Sequence, residues 1–279
     1  MPYIILIICL AAFSAIQLMV GNLPVRFFAF PLNLILALIW AFGIVTLWRS
    51  KRKSAFVRFM LSKGATLCAV SLFLVFCLII GVTGVRTITQ SWPFAFVLLY
   101  FQSVLLFVIL RGRRAPAATG AGSGAIRWRF ILNHCGVLLA VSAAFWGAPD
   151  SETLRIRAVR DVRVNEAFRM DGSMTMLDYG LELKDFRMEV YENGTPSMYE
   201  ASLLIDGVPA DLRVNKPYSR SVGEDIYLTG YNADDSSACI LQVVREPWKY
   251  AAVAGIVMML TGALLLFVAG PRKRYGEEG

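Results

Sequence analysis

Six stretches of the sequence, residues 3–20, 27–48, 65–85, 93–110, 130–147 and 250–269, are each long and apolar enough to cross a lipid bilayer as a helix. A hydrocarbon core about 30 Å thick takes roughly 20 helical residues. Inside it every backbone N–H and C=O has to be satisfied within the segment, which leaves the helix as the form for such runs. The first run lacks a basic leader and a small-x-small cleavage pattern, so it reads as a retained span. Charge placement agrees. Residues 1–149 contain no aspartate or glutamate, and eighteen of the twenty acids fall between Asp150 and Glu246. The expected fold class is a polytopic α-helical membrane protein with six transmembrane helices and a β-rich, sandwich-like extracytoplasmic domain. Residues 1–149 hold helices one to five, 150–249 the exposed domain, 250–269 helix six and 270–279 a cytoplasmic tail.

Orientation follows from lysine and arginine in the short loops, which remain on the cytoplasmic side. Residues 49–63 hold six, 111–129 five and 272–274 three, whereas the opposite loops hold one each, Arg26 and Arg86. Both termini are therefore expected in the cytoplasm and residues 150–249 outside. The net charge of +8 sits in clusters flanking apolar runs, a membrane pattern and not a nucleic-acid-binding face. Residues 115–125 are rich in Gly, Ala and Ser and read as a flexible cytoplasmic linker.

The exposed segment alternates apolar and polar residues with a period of two, as in Leu154-Arg155-Ile156-Arg157-Ala158-Val159. About seven such runs are separated by turn signals, among them Asp171-Gly172, Glu192-Asn193-Gly194 and Asp206-Gly207. That pattern predicts an antiparallel sandwich or an open barrel.

No nucleophile elbow, phosphate loop, HExxH or pair of histidine ligands occurs, so no independent active site is legible. The acids of the exposed domain are spaced like the solvent face of strands. Cys9, Cys68, Cys77, Cys135 and Cys239 form no CxxC, and one exposed-domain cysteine cannot make a dithiol couple. Met170, Met174 and Met176 without companion His or Cys read as packing or as a hydrophobic surface strip. The sole histidine, His134, lies about one turn into the fifth run from its cytoplasmic end. An ionisable side chain within a span is a functional-site hypothesis by default. Imidazole is also the commonest protein ligand to haem iron. The bland alternative is an interhelical hydrogen bond near the interface.

Three pieces of sequence resemble the ResB-like (CcsB) family of cytochrome c biogenesis proteins. They are Asn133-His134-Cys135-Gly136-Val137-Leu138-Leu139; Tyr179-Gly180-Leu181-Glu182-Leu183-Lys184-Asp185-Phe186 with its continuation to Gly194; and Val214-Asn215-Lys216-Pro217-Tyr218 followed by Gly223-Glu224-Asp225-Ile226-Tyr227-Leu228 and Val243-Val244-Arg245-Glu246-Pro247-Trp248. Thr89-Gln90-Ser91-Trp92-Pro93-Phe94 looks like the variant of the family with extra N-terminal spans. The resemblance implies a subunit of the system II maturation machinery in a bacterial cytoplasmic membrane. Such a subunit handles haem b and, with a CcsA/ResC-type partner, presents it for covalent attachment to the CxxCH thiols of apocytochrome c. A thioredoxin-like reductant is implied indirectly, and nucleic acid is not. His134 matches the family's transmembrane haem ligand, with Asn133 beside it as a candidate to orient the imidazole through a hydrogen bond. The chain would then be a co-catalytic or non-catalytic part of a haem lyase. An anchored scaffold or envelope sensor, and a transporter of another solute, are the competing readings.

Overall fold

The computed structural model describes residues 2–112, 127–190, 196–232 and 235–269. The Gly/Ala/Ser-rich stretch, the turn signal at 192–194, the basic cluster at 272–274 and the tail 270–279 lie outside the described residues. The chain divides into two compact units, one comprising Met1–Pro149 and Lys249–Gly279 and the other Asp150–Trp248.

The first unit is helical. Six helices are long and apolar enough to cross a membrane: α1 (Pro2–Val20), α2 (Leu32–Ser50), α4 (Lys63–Thr83), α5 (Trp92–Gly112), α6 (Trp128–Gly147) and α7 (Lys249–Ala269). Their mean hydropathies run from 1.6 to 2.7. A short helix not expected from the sequence, α3 (Ala55–Met60), lies in the basic loop after α2. Serines start both α3 and α4: the Ser54 hydroxyl accepts from the Val57 N–H at 3.2 Å, and Ser62 from the Ala65 N–H at 3.1 Å. The second span begins later than expected. Val25–Phe28 form a 3-10 turn and Pro31 occupies the N-cap, because a proline ring bars the residue before it from helical geometry. Helix α4 ends at Gly84, whose φ of +66° is the left-handed cap that glycine adopts without a Cβ penalty.

Helix α5 is the hub, packed against α1, α2, α4 and α6, and its Val97, Val104 and Phe107 are fully buried. Side-chain amides and hydroxyls join the helices where hydrocarbon offers no water. Asn33 Nδ2 of α2 donates to the Trp146 carbonyl of α6 at 2.8 Å. Ser142 Oγ of α6 donates to Gln102 Oε1 of α5 at 2.8 Å, and Trp40 Nε1 of α2 donates to Ser103 Oγ of α5 at 3.0 Å. The outward faces carry exposed apolar side chains such as Ile7, Leu18, Leu67, Leu260 and Phe267, suited to lipid.

Helices α6 and α7 pack most closely, on small residues. A methyl in place of the Gly136 hydrogen would lie 2.7 Å from the Gly255 carbonyl oxygen. One on Gly255 would lie 2.6 Å from the Ala140 nitrogen, and one on Gly262 2.6 Å from Asn133 Nδ2. Backbones approach this closely only where side chains are absent.

The second unit is one antiparallel sheet of eight strands: β1 (Glu152–Val159), β2 (Arg163–Arg169), β3 (Met174–Val190), β4 (Pro196–Ile205), β5 (Val208–Arg213), β6 (Tyr218–Ser221), β7 (Glu224–Asn232) and β8 (Asp235–Arg245). The order is β5-β4-β3-β2-β1-β8-β7-β6. A sandwich or an open barrel was the expectation. The observed sheet is continuous and curls so that β5 comes against β7, the open-barrel solution to burying one face. Leu154, Ile156 and Ala158 point into the core while Arg155 and Arg157 point out, and Leu181, Leu203, Leu212, Ile226 and Leu241 fill the interior. Cys239 is part of this core, and burial pushes its thiol up to about 12. Strand β1 pairs with β8 along its whole length, from Glu152 with Arg245 to Val159 with Ala238. Trp248 Nε1 donates to Asp150 Oδ2 at 2.7 Å. The two ends of the domain are thus stapled side by side.

Candidate functional site

His134 sits on the second turn of α6, and its surroundings follow from helical geometry. Residues four apart stack along one face, so the imidazole lies over Phe130, ring centroids 4.0 Å apart. Its Nδ1 is 2.9 Å from the Phe130 carbonyl oxygen. A carbonyl can only accept, so that contact assigns the proton of the neutral ring to Nδ1 and leaves the Nε2 lone pair pointing away from the helix backbone. This is the arrangement metal-binding histidines use, one nitrogen oriented by an acceptor and the other offered to the metal.

The rotation of α6 decides what Nε2 can meet. Asn133, Gly136 and Ala140 face α7, where they touch Gly262 and Gly255. Ser142 faces α5. At 100° per residue His134 projects about 125° from the centre of the α7 face and about 80° from Ser142, between Ser142 and Phe130, whose ring packs against Gly112 of α5. Val137, Leu138, Val141 and Phe145 share that side, and all are partly exposed. The imidazole therefore stands, half-buried, in an apolar strip of α6. Arg127 stands next to it, its guanidinium 4.9 Å from the Phe130 ring.

The structure does not bring Asn133 to the imidazole. Its amide Nδ2 donates to the Arg129 carbonyl at 2.9 Å and packs against Gly262. The group that orients the ring is the Phe130 carbonyl. Among the described residues no set of three His, Cys, Asp or Glu side chains could hold a metal ion, so His134 offers a single ligand.

Sequence reasoning weighed ionisable residues only and so passed over Asn33 and Gln102, which are 1% and 0% exposed. Polar amides inside apolar runs were the signal that could have found them. It also missed a charged cluster in the sheet domain. Arg245 faces Glu224, lies 3.6 Å from Glu152 and 3.5 Å from Asp178, and Arg220 sits 3.8 Å above the Tyr179 ring. Burial, and then the Glu224 carboxylate, push the Tyr179 hydroxyl above its usual range. Met170, Met174 and Met176 are exposed with Phe168 on the β2–β3 hairpin, a surface strip in place of core packing.

Residues 120–240 match the model of the ResB-like family. That segment spans α6 and most of the sheet domain and is under half of the 279 residues. No curated protein matches the sequence. Among solved structures the chain is similar to "Cytochrome c Heme Lyase CcmF", with a TM-score of 0.38 and 15% identity over 91% of this chain. The chain spans 43% of the length of that protein, and a likeness so distant carries no argument about mechanism.

Proposed function

With residues 120–240 ResB-like, we propose that this multi-pass chain is a haem-handling subunit of a cytochrome c maturation complex. It works in a bacterial cytoplasmic membrane with its termini in the cytoplasm and the sheet domain outside. His134 is an axial ligand to the haem b it carries, and the haem is cargo. One observation supports this reading above the others: the imidazole has Nδ1 committed to the Phe130 carbonyl and, among the described residues, no partner at Nε2, on a partly exposed apolar strip of α6.

The chemistry on this chain is binding and orientation. Nε2 supplies one axial bond. Phe130, Val137, Leu138 and Val141 offer the apolar wall a porphyrin face requires, and Arg127 offers a cation to a propionate. Asn133 acts through the helix: its seat on Gly262 holds α6 at the rotation that sets where His134 points. The side chains of that strip are partly exposed. That supports a CcsA/ResC-type partner which closes over the haem and contributes its other ligands, while apocytochrome c receives the haem outside. The sheet domain carries no exposed dithiol, so acceptor thiols are reduced elsewhere, by a thioredoxin-like protein.

The test is His134→Gly in the complex purified with its partner. Haem absorbance per complex is expected to fall about tenfold or more, because an axial bond and its orientation are both lost, and added imidazole is expected to restore it. Unchanged haem content and unchanged c-type cytochrome assembly in the variant would remove His134 from the site and favour an anchored scaffold.

A further inference from the structure

Lys63 opens α4 and Arg111 lies in the last turn of α5. The two helices pack together, and both cations line the same groove of about 440 Å³. From Lys63 the groove continues past Thr66, Leu67 and Val70 on α4, with Val108 opposite on α5. Residues at these spacings of three and four lie one above another along a helix, so the floor is an apolar trough running away from the charged end. Arg111 Nη1 donates to the Leu61 carbonyl at 3.1 Å, which fixes the guanidinium at the mouth.

These cations lack an internal counter-charge. No aspartate or glutamate occurs in residues 1–149 or in α7, so an ion pair within the described residues of the helical unit is impossible. A site with two cations at one end and an aliphatic trough below it is complementary to one class of molecule: a phosphate bearing acyl chains. A free anion would use the cations but would have no use for Leu67, Val70 and Val108.

We propose that this groove binds an anionic phospholipid, its phosphate between Lys63 and Arg111 and an acyl chain along Leu67, Val70 and Val108. The site lies on helices outside the ResB-like segment and does not depend on haem handling. It does rest on reading α4 and α5 as membrane spans, which a carbonate wash tests separately. A chain released from membranes by carbonate refutes the spans, whereas a chain that is retained but shows no lipid preference refutes the groove alone.

The experiment uses the full chain in a neutral detergent, delipidated, with phosphatidylglycerol, phosphatidylcholine or inorganic phosphate added. Bound lipid is counted by native mass spectrometry and thermal unfolding is followed in parallel. Phosphatidylglycerol is expected to be retained and to raise the unfolding midpoint over phosphatidylcholine, while phosphate alone has no effect. Removing either cation is expected to lower phosphatidylglycerol retention about fivefold, and Lys63→Gln with Arg111→Gln to abolish the preference. Val70→Trp fills the trough and is expected to abolish it with both cations intact. Equal retention of the two lipids overturns the proposal, as does a preference that survives both changes. So does a phosphate effect that persists in Val70→Trp, which would mark an anion site only. Should the double glutamine variant fail to fold, the wild-type lipid count and Val70→Trp still decide.

Discussion

The two units of this chain treat charge in opposite ways. In the sheet domain cations face carboxylates of the same domain: Arg169 bonds Glu152 at 2.8 Å, Arg160 bonds Asp185 at 3.0 Å, and Arg245 faces Glu224, Glu152 and Asp178. In the helical unit no such partner exists among the described residues, because the sequence supplies no acid there. The sheet domain pairs most of its cations with its own carboxylates. On the proposed readings the helical unit leaves cations, an imidazole nitrogen and apolar surface to be completed from outside, by headgroups, by haem and by a partner. Substitutions in the two units should therefore fail in different ways.

The largest effect on folding is expected from Arg245→Ala. Removing this guanidinium strands Glu224, whose side chain is 8% exposed, with only Arg220 beside it. Breaking a buried pair from one side costs about 3 kcal/mol. Denaturant unfolding of the full chain in detergent, followed by protease sensitivity of the sheet domain, measures it. Lys53→Ala in the helical unit is expected to change stability by less than about 0.5 kcal/mol, since no carboxylate is left stranded. Equal losses in the two variants would break the comparison.

Next comes the α6–α7 seam. Gly255→Leu places a side chain where even a methyl would lie 2.6 Å from the Ala140 nitrogen, so one helix has to shift. The expected loss is about 1–3 kcal/mol. It should be accompanied by weakened haem retention, because the same contact sets the rotation of His134. A variant that loses stability yet keeps full haem content would separate the seam from the site. Smaller again is Gln102→Leu, which deletes the acceptor for Ser142 within the bundle. Hydrogen bonds between membrane helices contribute about 0.6 kcal/mol on average, so thermal unfolding should fall by a correspondingly slight amount.

What the sequence disclosed, and what it withheld, follows the same division. Span positions were legible because hydrophobic length is a local property, and the one late start, at Leu32, traces to Pro31. Alternation in β1 announced a half-buried strand but not the identity of the covering layer. Whether Leu154 meets a second sheet or the same sheet curled back depends on register between strands far apart in sequence. His134 stood out as an ionisable side chain in an apolar run, and its bond to Phe130 is a four-residue relation visible in advance. The direction it faces was not visible, because the rotation of α6 is set by glycines on α7 more than a hundred residues away.

The smallest effect sharpens the electrostatic contrast through pH. Asp185 is held below the usual carboxylate range chiefly by its hydrogen bond from the Arg187 guanidinium, with Arg160 adding to it. A carboxylate with a depressed folded-state pKa contributes stability that is present above its unfolded value and disappears as pH falls through the folded one. Acidification below the ordinary aspartate range should therefore loosen the β3–β4 pairing, while neutral pH leaves it intact. Lys184, raised by its hydrogen bonds to Glu182 and Asp161, has the opposite sign, its contribution being lost only as pH rises into the alkaline range. Because both groups are exposed, water screens the effect and the shift should be slight. Asp185→Asn is expected to flatten the acid limb of a hydrogen-exchange profile over β3 and β4 and to leave the alkaline limb unchanged. The described residues of the helical unit, with no aspartate or glutamate to protonate, should show no acid limb of this origin. An equal acid-induced loosening of α4 and α5 would show that the charges of the two units are not partitioned as their sequences divide them.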